Sequence, residues 1–278
     1  MNYLEVEFKL TPFNPWNEVF VAYLSEIDFE SFQEATPVLR AYISENQYDN
    51  SRFERLISEL KLNQDLNFSF QINKIPQQNW NAVWESQFEP VTIENKLQIL
   101  APFHEKSKFS GHTILIEPKM SFGTGHHQTT YLMCKSMFDL DLSEKAVLDM
   151  GSGTGVLAIL AEKLGANQVK AFDIEPWSVE NCDDNAKKNA CLKITSLLGD
   201  IDQVEGNFDV ILANINKNVL KNQIPFYSKL IRSKGKLLLS GFFVSDEDEL
   251  KNCAKECGFD FQSSENREGW SMLLFNKI

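Results

Sequence analysis

The run Val147-Leu148-Asp149-Met150-Gly151-Ser152-Gly153-Thr154-Gly155-Val156 decides the fold. An apolar stretch ends in an acid, three alternating glycines follow, and an apolar segment resumes at Val156. A strand that turns through glycines into a helix predicts an open α/β sheet with its ligand at the carboxyl ends of the strands. Glycine admits a ligand to the backbone there, and the start of a helix offers free N–H groups. The dinucleotide spacing G-x-G-x-x-G requires glycine at position 156, where this chain has valine. The pattern therefore argues against a pyrophosphate cofactor.

Beyond the loop the chain keeps one rhythm. Apolar runs at 169–173, 196–199, 208–213 and 236–240 read as strands, and amphipathic stretches at 156–163, 179–189, 219–231 and 246–257 read as helices. Such alternation predicts a parallel sheet covered on both faces. The tail differs, because 259–263 and 272–275, joined through Glu268-Gly269, read as a terminal antiparallel hairpin. Four successive strand ends carry Asp149, Asp173, Asp200 and Asn214, which gathers these side chains at one rim. Asp173 lies 22 residues beyond Gly151, where an acid can accept hydrogen bonds from both hydroxyls of a ribose. Asp200 follows a glycine and has a second reading as a turn or cap residue.

Upstream, Pro118-Lys119-Met120-Ser121-Phe122-Gly123-Thr124-Gly125-His126-His127-Gln128-Thr129-Thr130 is a glycine loop whose threonines are placed to cap a helix beginning near Tyr131. Further strands are expected at 97–101 and 113–116. Trp80, Trp84 and Phe88 stand four apart ahead of Pro90 and predict a short linker helix over 77–90. Residues 1–76 form a separate pattern. Leu4, Val6, Phe8 and Leu10 alternate with polar residues, Phe20, Tyr23, Leu24 and Ile27 fall at helical spacing, and two short strands flank Thr36-Pro37. Phe53, Leu56, Ile57 and Leu60 then mark a second helix, and Leu66, Phe68, Phe70 and Ile72 alternate again. The order β-α-β-β-α-β predicts a small ferredoxin-like α+β domain. It holds 12 acidic and 6 basic side chains, a net of −6, and lacks the basic-aromatic strand motif of an RNA reader. A protein-docking or structural role is expected of it.

The glycine loop, the strand-end acids and the terminal hairpin resemble the class I methyltransferases that use S-adenosylmethionine, which implies a Rossmann-like seven-stranded sheet in residues 91–278. Together with the 118–130 loop and Asn214-Ile215, the chain resembles the PrmA family of ribosomal protein L11 methyltransferases along nearly its whole length. The resemblance implies S-adenosylmethionine as cofactor, with Thr130, Gly151, Gly153, Asp173, Asp200 and Asn214 as its contacts. Asn214 would also orient the acceptor amine, a lysine or α-amine of the basic ribosomal protein, and the small domain would recognise that protein. The chain departs from the family pattern at His126-His127-Gln128 and at Asn216-Lys217-Asn218-Val219, positions that bear on acceptor preference. Methylation of a nucleic-acid or glutamine amine is the competing reading, but the Asn-Pro-Pro-aromatic run that grips those planar nitrogens is replaced here by Asn214-Ile215-Asn216-Lys217. A cofactor-binding assembly factor without catalysis is a third reading.

Composition narrows the setting. The 278 residues carry 27 Lys+Arg against 39 Asp+Glu, a net of −12, which opposes contact with a phosphate backbone and suits a basic protein partner. The amino terminus bears Glu5 and Glu7 where a signal peptide would be basic and then apolar, and no run is long enough to span a bilayer. A cytoplasmic protein without membrane contact is expected, and the resemblance implies a monomer. The five cysteines are odd in number and show no C-x-x-C pair, so reduced thiols are expected and no metal site. His126 and His127 lack H-x-x-x-H spacing and read as loop residues. In calorimetry the chain should bind S-adenosylmethionine and its demethylated product but not NAD; NAD binding without S-adenosylmethionine binding would contradict the glycine-loop reading.

Overall fold

Two cores account for the chain's two patterns, and a computed structural model describes them over residues 2–75, 84–85, 87–105 and 108–278. The chain divides into the units Met1–Gln87 and Phe88–Ile278. Trp80 and most of the expected 77–90 linker helix lie outside the described residues.

In the first unit β1 (Tyr3–Thr11), a helix over Trp16–Ser25, β2 (Ser31–Ala35), β3 (Val38–Ser44), a helix over Asn50–Leu60 and β4 (Asn67–Ile75) follow in order. The strands pair as β2-β3-β1-β4, each antiparallel to its neighbour. Period-two alternation in β1 sends Val6, Phe8 and Leu10 into the core, where Phe8 meets Phe20 edge to face at 5.0 Å. Glu5 and Glu7 point the other way and bond across the sheet to Tyr42 and Arg40. Asp49 caps the second helix through the N–H groups of Ser51 and Arg52. Alternation overstates burial in β4, because that strand is a sheet edge and leaves Phe70 and Ile72 more than one-third exposed.

The second unit begins with a three-stranded sheet of β5 (Val91–Ile93), β6 (Leu97–Leu100) and β7 (His112–Leu115). At three residues, β5 is too short for periodicity to reveal. The main sheet comprises β8 (Ala146–Met150), β9 (Gln168–Asp173), β10 (Ile194–Leu198), β11 (Phe208–Asn214), β12 (Ile231–Phe243), β13 (Phe259–Arg267) and β14 (Trp270–Lys277). Its order is β10-β9-β8-β11-β12-β14-β13, parallel through β12 and antiparallel over the final hairpin. Consecutive residues of the central strands enter opposite cores: Val147, Val210 and Leu212 pack on one face, Leu148, Ile211 and Ala213 on the other. That two-sided burial explains why these strands read as continuous apolar runs. Helices over Gln128–Met137, Val156–Lys163, Pro176–Lys188, Lys217–Leu230 and Glu247–Glu256 supply the rest of the unit's layers.

The chain order reverses direction between β8, which continues to β9, and β11 on its other side. A crevice at the carboxyl ends of these strands is the position where open α/β sheets bind ligands. All five cysteines are free thiols, with Cys134, Cys182 and Cys191 buried. Among the described residues no helix is long and apolar enough to cross a membrane.

Candidate active site

The glycine loop takes its shape from how closely other backbone approaches it. Gly151, Gly153 and Gly155 have φ of +75°, +53° and +80°, a region that side chains strain to enter. A Cβ on Gly153 would lie 2.2 Å from the carbonyl oxygen of Phe122, so the 118–130 loop packs directly on this glycine. Thr154 fastens the two loops, its N–H donating to Phe122 O at 2.9 Å and its hydroxyl to Gly123 O at 2.6 Å. Gly155 is the N-cap of Val156–Lys163 and has no side chain to offer. Asp149 substitutes for it from the end of β8, its Oδ2 accepting the Ala158 N–H at 3.1 Å.

Asp173 stands at the end of the neighbouring strand. One carboxylate oxygen accepts the Gly153 N–H at 2.8 Å and the other the Glu175 N–H at 3.0 Å. Each oxygen keeps a further lone pair. Asp200 has both of the expected characters. It caps a short 3-10 turn through the Ile201 N–H, and it lines the same cavity as Asp173. Gly151, Gly153, Asp173, Asp200 and Asn214 all border that cavity of about 430 Å³, within the usual size range of small-molecule sites.

Thr130 is fully buried and stands behind the wall, where its Oγ1 lies 3.4 Å from Asn214 Nδ2. The helix bearing it begins at Gln128, earlier than expected, and His127 is its cap, with Nδ1 accepting the Thr129 N–H at 3.3 Å. Thr129 and Thr130 therefore lie within the first turn and do not cap it. Burial lowers the His127 pKa. The His127 ring sits between Phe122 and Trp270, at centroid distances of 5.1 and 4.7 Å, and Trp270 packs on Phe243 at 4.1 Å with the rings tilted by 30°. His126 is fixed separately, Nε2 lying 2.8 Å from the Glu89 carbonyl oxygen.

Of the residues after Asn214, Ile215, Asn216 and Val219 also border the cavity, and the stretch has structural tasks besides. Asn216 caps the helix Lys217–Leu230 through the Val219 N–H, and Lys217 is held by Asp246 and Glu249 at 2.9 and 3.1 Å. Several contributors escape sequence reasoning. Fully buried Asn185 joins Thr154 O to Glu117 N at 3.0 and 2.9 Å, and Gln223 lines the cavity from a helix face otherwise read as core. An isolated polar residue on a core-facing stripe was the available signal for both. Phe243 and Trp270 meet only because β12 and β14 pair.

The site fits S-adenosylmethionine on its own geometry. The glycines leave a cradle that a single Cβ would fill, Asp173 presents two oriented acceptor oxygens, and the buried Asn214 Oδ1 lacks a hydrogen-bond partner. Fold and site together define a class I S-adenosylmethionine-dependent methyltransferase. The model of the family described as "Ribosomal protein L11 methyltransferase (PrmA)" matches residues 18–278. The chain belongs to that family.

The relatives named ribosomal protein L11 methyltransferase include one from Phocaeicola vulgatus, 37% identical over 99% of both chains. Another, from Porphyromonas gingivalis, is 38% identical over 99% of this chain and 98% of its own. The crystal structure of ribosomal protein L11 methylase from Lactobacillus delbrueckii subsp. bulgaricus is 27% identical, with a TM-score of 0.64 over 69% of this chain and 100% of that one.

Asp149 gives the site a measurable pH signature. Burial raises its carboxyl from 3.8 to about 7, opposed by the Ala158 bond and reinforced by the nearby Asp173 charge. The folded protein therefore holds this proton more tightly than the open chain does. The associated stability is complete below pH 3.8 and is lost as pH rises through about 7. Asp149→Asn should gain stability relative to the native protein as pH rises from 5 to 8, read as the difference in melting temperature. A pH-independent difference would place the Asp149 titration outside this range.

Proposed function

We propose that the chain methylates lysine ε-amino or α-amino groups of ribosomal protein L11. The observation that carries this reading is the unpartnered buried amide oxygen of Asn214, a residue that borders the same cavity as Asp173. In this reading Gly151 and Gly153 lie under the methionine part of the cofactor, Asp173 takes the ribose hydroxyls and Asp200 the adenine amine. Thr130 steadies the Asn214 amide from behind.

When bound, S-adenosylmethionine supplies an activated methyl group and its own leaving group. The chain's task is to align the acceptor nitrogen, because in-line displacement depends chiefly on proximity and orientation. A lysine amine has an ordinary pKa of ~10.4 and must first lose a proton. The apolar rings of Phe122, Phe243 and Trp270 near the same rim would favour the neutral amine by desolvation. Asn214 Oδ1 can then accept one N–H and leave the lone pair for the methyl carbon. An amide does this without stabilising the ammonium as a carboxylate would.

The first unit is the part proposed to recognise the protein substrate. Residues 1–76 carry a net of −6, which attracts a basic protein and repels RNA. The enzyme is proposed to act in the cytoplasm as a monomer without direct contact to nucleic acid. A chain beginning at Phe88 should retain S-adenosylmethionine binding within about threefold, because the whole cavity lies in the second unit. It should lose most transfer of labelled methyl to free ribosomal protein L11. Added salt should slow the full-length enzyme at subsaturating protein substrate while leaving cofactor affinity nearly unchanged. Equal methylation by the shortened and full-length chains would assign the first unit another role.

A further inference from the structure

Beside Asp200 lies a largely buried hydrogen-bond relay that runs from Gln223, on the cavity wall, to Tyr227 behind it. Gln223 and Tyr227 stand four residues apart on the helix Lys217–Leu230 and so share a face. Gln223 is 4% exposed and Tyr227 fully buried. Gln223 Nε2 donates to Asp200 Oδ1 at 2.7 Å, and the Tyr227 hydroxyl donates to Gln223 Oε1.

The direction of this relay is forced by its ends. An ionised carboxylate only accepts, so the Gln223 atom facing it is the amide nitrogen. The amide oxygen then faces Tyr227, which has to donate. Burial, with the charges of Asp200 and Asp149, holds the Tyr227 pKa well above its ordinary value and keeps that proton in place.

The consequence falls on Asp200. Its Oδ1 takes both the Gln223 amide and the Ile201 N–H at 2.6 Å, while the Asp200 N–H donates to Gln203 Oε1 at 3.2 Å. A carboxylate held at these points has little rotational freedom. Asp200 is exposed on the cavity wall, where the carboxylate's remaining lone pairs can meet a ligand. A fixed acceptor oxygen there attracts an exocyclic amine and repels a carbonyl oxygen at the same place on a purine.

We propose that Tyr227 and Gln223 are positioning residues that hold Asp200 as a selector of a 6-aminopurine over a 6-oxopurine. The inference rests on the reading of Asp200 as the base contact of the cofactor site. Neither Tyr227 nor Gln223 has to touch the reacting atoms.

The test is calorimetric binding of S-adenosylhomocysteine and S-inosylhomocysteine to the full-length native chain, Tyr227→Phe and Gln223→Met, with unfolding midpoints recorded for each. The native protein should prefer the adenine compound by about tenfold or more, as expected when a 6-oxo group meets a carboxylate in place of a bonded amine. Tyr227→Phe keeps the ring, and should narrow that preference by about three- to tenfold through loss of adenine-compound affinity alone. Gln223→Met keeps the side-chain length and should narrow it at least as much. Equal loss for both compounds, or an unchanged ratio in both variants, would make the relay purely structural and overturn the proposal. Native binding of both compounds with equal strength would overturn it by removing Asp200 as selector. Native binding of neither would overturn the cofactor-site reading itself, and the proposal with it.

Discussion

A hydrogen bond between neighbouring strand ends organises the site: Gly153 N–H donates to Asp173 Oδ2 at 2.8 Å. It joins the loop after β8 to the last residue of β9, adjacent strands that pair through Met150 and Phe172. The bond requires glycine, because a Cβ at 153 would strike the Phe122 carbonyl and the φ is positive. It also holds the Asp173 carboxylate in place without help from a ligand, so less orientational freedom is lost on binding. Thr154 and Asn185 extend the same restraint to the 118–130 loop. Loop, carboxylate and helix start consequently form one rigid cradle.

Two carboxylates near that cradle sit in different surroundings. Asp149 is fully buried with one oxygen unpartnered, and its pKa rises toward neutrality. Asp173 remains partly open and accepts two backbone N–H bonds, which fix the direction of its two oxygens. Two acids at successive strand ends thus serve different purposes. The inner one replaces the missing cap of Gly155, and the outer one is placed to meet a ligand.

The parallel sheet and its terminal hairpin were legible because two-sided burial, glycine spacing and helical periodicity all agree over 147–275. The rim residues were legible because each ends a strand. Legibility failed where tertiary contact decides the outcome. His127 took the capping role expected of the threonines, Thr130 went behind the cavity wall, and β4 became an exposed edge despite its alternation. Gln223, Tyr227 and the Phe243–Trp270 pair depend on helix facing and strand register, which local patterns do not encode.

The central claim is that Asn214 acts on the acceptor amine as well as bordering the cofactor cavity. Comparing Asn214→Ala with the native enzyme, with cofactor affinity from calorimetry and single-turnover methyl transfer to ribosomal protein L11, separates the two roles. The account predicts a transfer rate reduced by about 10²-fold or more, as for loss of one aligned hydrogen bond at a reacting centre, with cofactor affinity within about threefold of native. Equal losses in affinity and rate would reduce Asn214 to a cofactor contact, and an unchanged transfer rate would contradict the account.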